Sequence, residues 1–339
     1  MRLEPEILFH RFFTSLTNPQ ERERYRGRLE VGHDGNGPLL NDLRTVFNNG
    51  LVAQHGRQEG GQPRFYFDYV DSVIENALAF PYEGIAFIGI TQPLIESLIA
   101  GCVQLSNSSA VGKILDDTEN EEQRELVLSG IMGATLSFVI GHEYGHHRLG
   151  HHEASLQEVF HDELPADGGA GTLEQQAREV HADGMGAFLA LNHIINGEGR
   201  DRILRLLGRE PADAAGDELL LKVFILGVAN YFFTRRPLPF APAGLYTRTH
   251  PPATARINYV MQNAQRWATD ARPAMGPLIT QALFERMMAA AEAALWGPEG
   301  ATDWHRQYEY FMSAEGKRYF DALGVALAQT LREAGDDRT

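Results

Sequence analysis

Apolar residues recur at helical spacing along most of the chain. Ile7, Leu8, Phe12 and Leu16 fall on one face of an amino-terminal helix. Helical periodicity returns over 92–105, 121–152, 173–196, 200–208, 216–233, 251–267, 276–294 and 314–333. Two stretches, Leu126 to Ile140 and Leu219 to Phe233, are apolar on every side, the pattern of helices buried in a core. Both are shorter than the roughly 18 to 20 clean apolar residues of a bilayer span, and the second carries Lys222 and Asn230, so no membrane span is expected. Strand character is confined to one region. RFYFDYV at 64–70 is dense in aromatic residues, and IAFIGI at 85–90 is a short isoleucine-rich run set off by Pro81 and Gly84. The two predict a small sheet of two to four strands. Runs rich in Gly, Pro and polar residues at 54–63 and 161–172 read as loops, and no repeat of 20–50 residues is present.

Composition narrows the function. The chain has 339 residues, 43% apolar and 22% charged, which is ordinary for a folded protein with a substantial core. A formal net charge of −15 repels phosphate backbones and supplies no basic stripe, so nucleic acid is excluded as an expected partner. The single cysteine, Cys102, can form neither an intramolecular disulfide nor a cysteine-based zinc site, and it suits a reducing compartment. The first 26 residues lack the apolar core and cleavage site of a signal peptide, so a soluble cytoplasmic protein is expected. Any metal must therefore be held by His and carboxylate.

Residues 142–146 read His-Glu-Tyr-Gly-His, an HExxH at the end of the first apolar run. On a helix, His142 and His146 lie one above the other and can share one tetrahedral metal. Glu143 stands beside them, placed to take a proton from a water acidified by the ion. A catalytic zinc site wants a third protein ligand and an open position. Glu179-Val-His-Ala-Asp183, beginning 33 residues after His146, puts two carboxylates on one helical face. Glu179 completes a His2Glu set, and Asp183 can orient a ligating His through its free ring N–H. His181 should point away from Glu179, while His147, His151 and His152 are explained by capping or packing at the helix end. A different arrangement, a di-metal bundle, pairs Glu143-x-x-His146 with Glu158-x-x-His161, but only about 15 residues separate the two motifs, too few to place them on facing helices.

HEYGHHRLGH at 142–151 resembles the active-site helix of the HtpX-like and CAAX prenyl protease gluzincins, with His151 in the place of a further family His. EVHAD at 179–183 is similar to the Glu-x-x-Ala-Asp motif of that family. Asn76-Ala77-Leu78-Ala79-Phe80-Pro81, then Gly84 and the IAFIGIT run, resembles its edge strand and hairpin; His250-Pro251-Pro252 with Arg256 and Ile257 resembles its His-Pro-Pro-x-x-x-Arg-Ile segment. The resemblance implies a zinc-dependent endopeptidase of α+β fold, predominantly helical, with a zincin-like core, a small mainly antiparallel sheet and the HExxH helix. It implies zinc on His142, His146 and Glu179, Glu143 as general base and His250 as a hydrogen-bond donor to the oxyanion. Asn76 and Ala77 would bind an extended peptide along the strand edge, and Arg256 would pair with Asp183. The expected partner is a protein or peptide substrate; the oligomeric state is not given by the sequence. The expected organisation is a helical extension at 1–60, a catalytic core at 61–265 and a helical extension at 266–339. Unlike many members of that family, the chain shows no flanking membrane spans. Two alternatives stay open: a non-catalytic or regulatory metal-binding module on the same fold, and a Lit-like phage-exclusion protease with a single cellular target.

Overall fold

The structure, a computed structural model, describes residues 4–32, 36–49, 64–115, 121–148, 171–197, 200–201, 204, 214–234, 240–297 and 301–333. The expected loop at 54–63, nearly all of that at 161–172, most of the helix at 200–208, and His151, His152, Glu158 and His161 lie outside the described residues. Contacts divide the chain into two compact units, one formed by Met1–Glu96 with His146–Ala166, the other by Ser97–Gly145 with Asp167–Thr339.

The first unit contains helices α1 (Pro5–Thr14), α2 (Pro19–Arg24) and α3 (Gly37–Phe47) and strands β1 (Tyr25–Arg28), β2 (Arg64–Ser72), β3 (Ala77–Tyr82) and β4 (Ile85–Thr91). The strands form one mixed sheet in the order β1-β2-β4-β3, in which β2 and β4 run parallel and the outer pairings are antiparallel. A two-residue turn between β3 and β4 makes this possible. Glu83 at φ 50° and Gly84 at φ 76° both take the left-handed conformation whose twist matches a tight hairpin. All seven residues of β4 are buried, which accounts for the unbroken apolar run in its sequence. Against the sheet lie Phe9, Phe12 and Phe13 of α1, packed with Tyr25, Phe80 and Phe87; the Phe12 and Phe80 rings stack at 4.0 Å. Each such ring contributes about 1.5–3 kcal/mol on burial, enough to hold a ten-residue helix that would fray alone. The amino-terminal helix therefore shares its core with the sheet. Strand β1 has no signature in its sequence, Tyr-Arg-Gly-Arg, and forms because Tyr25 enters this aromatic cluster.

The second unit is helical, with α4 (Gln92–Asn107), α5 (Ser109–Ile114), α6 (Glu121–Arg148), α7 (Leu173–Leu191), α8 (Ala214–Phe233), α9 (Ala253–Ala271), α10 (Gln281–Trp296), α11 (Ala301–Met312) and α12 (Ala314–Glu333). The molecule is predominantly helical α+β. Helix α11 is not among the stretches expected to be helical from the sequence, although Trp304, Tyr308, Phe311 and Met312 fall at helical spacing within it. The two all-apolar runs lie in α6 and α8, and both are buried. Among the described residues one helix, Arg124–Arg148, is long and apolar enough to cross a membrane by length and composition; 72% of its apolar window is buried inside the protein. Asn230, the polar residue inside the second run, is also buried. Its side-chain N–H groups face Leu98 O at 3.0 Å, Cys102 Sγ at 3.2 Å and Thr135 Oγ1 at 3.3 Å, joining α8 to α4 and α6.

Burial pushes the Cys102 thiol up to about 12. Thiolate being the reactive species, the native protein at pH 8 should not react with a disulfide reagent, and one thiol per chain should titrate after denaturation. Rapid labelling of the folded chain would contradict this packing.

Candidate metal centre

Helices α6 and α7 meet backbone to backbone. A Cβ placed on Gly141 would lie 2.9 Å from Gly186 Cα, one on Gly145 2.9 Å from Ala182 Cα, and one on Gly186 2.8 Å from the Phe138 carbonyl oxygen. No side chain fits at these points. Gly141 and Gly145, and Ala182 and Gly186, are each four residues apart, so each pair forms one small strip on its helix. Helix α7 starts on a reciprocal cap, in which the Gln175 N–H donates to Thr172 Oγ1 at 3.2 Å and the Thr172 N–H donates to Gln175 Oε1 at 3.0 Å. That cap fixes the phase of the helix two turns before the contact.

The close crossing presses Glu179 against the histidines. One ligand atom from each of His142, His146 and Glu179 lies within 4.8 Å of the others. The division between the two units falls inside α6, between Gly145 and His146, and the continuous helix fixes His146 one turn from His142. His142 Nε2 is 3.6 Å from Glu179 Oε2, close to the roughly 3.3 Å that two ligands of a tetrahedral zinc ion span. The other ring nitrogen, Nδ1, is 3.0 Å from Asp183 Oδ1. A proton on Nδ1 directed to Asp183 leaves the Nε2 lone pair facing Glu179, the tautomer that metal ligation requires. The nitrogen, nitrogen and oxygen donors thus fit a zinc ion. Glu143 is buried beside them, on the turn between the two histidines.

Behind this cluster is a buried ion pair. Arg256, on α9, donates through Nε and Nη2 to the two Asp183 carboxylate oxygens, both at 2.7 Å. Burial alone would raise the Asp183 carboxyl, but the Arg256 charge and the hydrogen bonds from Arg256 and His142 outweigh it and hold it below its ordinary value. Burial opposes the Arg256 charge in the same way, and Asp183 more than reverses the effect. The guanidinium carbon lies 4.9 Å from the Phe232 ring centre and 6.0 Å from that of Tyr231. Arg256 Nη2 is 3.5 Å, and His250 Nε2 3.6 Å, from Glu179 Oε2. The structure therefore brings His142, His146, Glu179, Asp183, His250 and Arg256 together.

Two other groups have different surroundings. His147, next to His146, is turned by one helical step, and its Nε2 is 2.7 Å from the Phe87 carbonyl oxygen; burial pushes its imidazole down to about 4. In the first unit, Asn76 ends the turn into β3, the edge strand of the sheet. Its backbone N–H donates to Thr91 Oγ1 at 2.7 Å and its side-chain amide to Tyr25 OH at 3.1 Å. Ala77 pairs with Ile90 and is buried.

The model of a family described as Peptidase U49 matches residues 104–274, half of the chain. The chain belongs to the peptidase U49 family. No curated protein and no solved structure matches it. The U49 match makes this a peptidase; the HtpX-like and CAAX resemblance is finer than the match. Every residue of the cluster lies inside the U49 region, whereas α10, α11 and α12 follow it. Tyr231 and Phe232 of this U49 peptidase were not among the expected site residues. They sit in a run apolar on all sides, and nothing in its periodicity distinguishes a ring that touches Arg256 from one that fills the core.

Two variants test the arrangement. Gly186→Val should destabilise the protein by about 1–3 kcal/mol or more, because its side chain meets backbone that cannot yield; an unchanged urea midpoint would contradict the close crossing. Asp183→Ala should cost about 3–5 kcal/mol, since it leaves a buried guanidinium without its carboxylate, and should weaken metal binding about 10- to 100-fold. Unfolding curves and metal titration check both values.

Proposed function

We propose that this peptidase is a zinc-dependent endopeptidase of the gluzincin type. The observation that carries the reading is the convergence of His142, His146 and Glu179 around one point, with Asp183 holding the His142 tautomer. His142, His146 and Glu179 would hold the ion. When bound, zinc supplies Lewis acidity, which polarises a peptide carbonyl and makes water acidic enough to lose a proton near neutral pH.

The remaining steps belong to the chain. Glu143, buried beside the ligands, receives the proton of the attacking water and returns it to the departing amine. His250, whose Nδ1 is 3.0 Å from the Thr249 hydroxyl oxygen and whose Nε2 is 3.6 Å from Glu179 Oε2, donates from Nε2 to the oxygen that gains charge when the carbonyl becomes tetrahedral. Asp183 and Arg256 keep His142 from turning. The edge strand β3, entered through Asn76 and Ala77, adds a substrate strand. The substrate is a protein or extended peptide, and a cytoplasmic location agrees with the single buried cysteine.

Glu143→Gln should keep about one zinc per chain and lose at least 100-fold in peptide cleavage. Glu179→Ala should lose the metal, and a chelator should abolish activity that added zinc restores. Elemental analysis beside a casein cleavage assay measures these outcomes. A Glu143→Gln protein as active as wild type would sink the mechanism.

A further inference from the structure

Gln176 lies on α7 one turn before Glu179 and is completely buried. Its side-chain nitrogen donates to two backbone carbonyls, Leu245 O at 3.0 Å and Arg248 O at 2.9 Å. Carbonyls only accept, so the amide can face them one way round, and its oxygen is left needing a donor. Tyr319 of α12 provides it, with its hydroxyl 2.6 Å from Gln176 Oε1. Burial pushes the Tyr319 phenol up, so the hydroxyl keeps its proton.

The two carbonyls bracket a tight turn, Leu245–Thr247: one is at its first residue and the other at Arg248, which follows it and leads into His250. The turn is gripped at other points too. The Gly171 N–H donates to Thr247 O at 2.7 Å, and the Tyr246 ring meets Tyr319 edge to face at 5.6 Å. Beyond the two prolines, Thr254 Oγ1 donates to Gln307 Oε1 of α11 at 2.7 Å. The segment carrying His250 is thus held on one side through Tyr319 and on the other through Gln307. Both residues lie outside the U49 match at 104–274.

We propose that Tyr319 and Gln176 form a clamp that positions His250 beside Glu179, making helix α12 part of the machinery of the centre. This rests on the reading of His250 as the oxyanion donor. Tyr319 is a positioning residue: it acts through Gln176 and the turn. Loss of its hydroxyl leaves a buried amide oxygen without its donor, the amide reorients, and the carbonyls at 245 and 248 are released.

The test uses the full zinc-loaded chain, comparing wild type, Tyr319→Phe, and Val325→Ser as a control on the exposed side of α12. Tyr319→Phe should raise amide hydrogen exchange in the segment 240–252 at least fivefold. It should also shift the imidazole signal of His250, assigned through His250→Gln, and lower casein kcat about tenfold with KM within twofold and zinc content unchanged. The control should match wild type in all of these. Gln176→Met, which fills the same volume without polar atoms, should reproduce the pattern and replaces Tyr319→Phe if that variant does not fold. Exchange and His250 signal unchanged from wild type would overturn the clamp, as would a kcat that falls only in step with zinc content. Full activity of Glu143→Gln would overturn the proposed mechanism instead, while exchange and the His250 signal still decide the clamp.

Discussion

The closeness of α6 and α7 is the constraint on which the centre depends. Helices whose contact faces carry ordinary side chains pack about 8–10 Å apart. Here Gly141 faces Gly186 and Gly145 faces Ala182, with backbone nearly touching backbone. A glutamate has a short reach, and only this approach lets Glu179 Oε2 come within 3.6 Å of His142 Nε2. Packing and chemistry are written into adjacent positions. His142 follows Gly141, His146 follows Gly145, and Asp183 follows Ala182. The 100° turn between neighbours puts each polar residue at the margin of the small-residue strip, where it faces the other helix without blocking it.

Such a crossing buries charge, and the surrounding residues are arranged to tolerate it. Glu143, Glu179 and Asp183 occupy one region with Arg256 as the permanent cation among them. The Asp183 to Arg256 pair is two-pronged and fully buried, so it gives direction as well as compensation. Phe232 covers the guanidinium face, and its ring is attracted to the charge without competing for a hydrogen bond. Removing either partner of the ion pair leaves the other buried alone, which is why this pair acts on both folding and the orientation of His142.

Local periodicity made part of the arrangement legible. HExxH and the spacing of Glu179 and Asp183 are statements about one helical face each; β2, β4 and most helices of the second unit follow from runs of apolar residues, and β3 from the family resemblance at 76–81. Adjacent residues with different surroundings follow from the same geometry: His147 differs from His146 by one helical step, and its ring turns to Phe87. What stayed hidden depends on residues distant in sequence. That Gly141 and Gly145 meet Ala182 and Gly186 is a property of the packed pair. Strand β1 owes its existence to Tyr25 entering an aromatic cluster. Tyr319 is 143 residues from Gln176, and no pattern in either segment links them.

The boundary of the U49 match separates two kinds of information. His142, His146 and Glu179 are positioned by two helices that both lie within the matched region. The position of His250 is not local in this sense. Its backbone lies between a turn and two prolines, outside any helix ladder that would fix it, and an irregular segment is placed by the groups that take up its carbonyls. In this chain Gln176, from within the family region, takes up two of those carbonyls, and Tyr319, from beyond it, holds the Gln176 amide by donating to its oxygen. A flanking helix that touches none of His142, His146 and Glu179 therefore still bears on where His250 lies, because its Tyr319 fixes the amide that takes up the backbone carbonyls before His250.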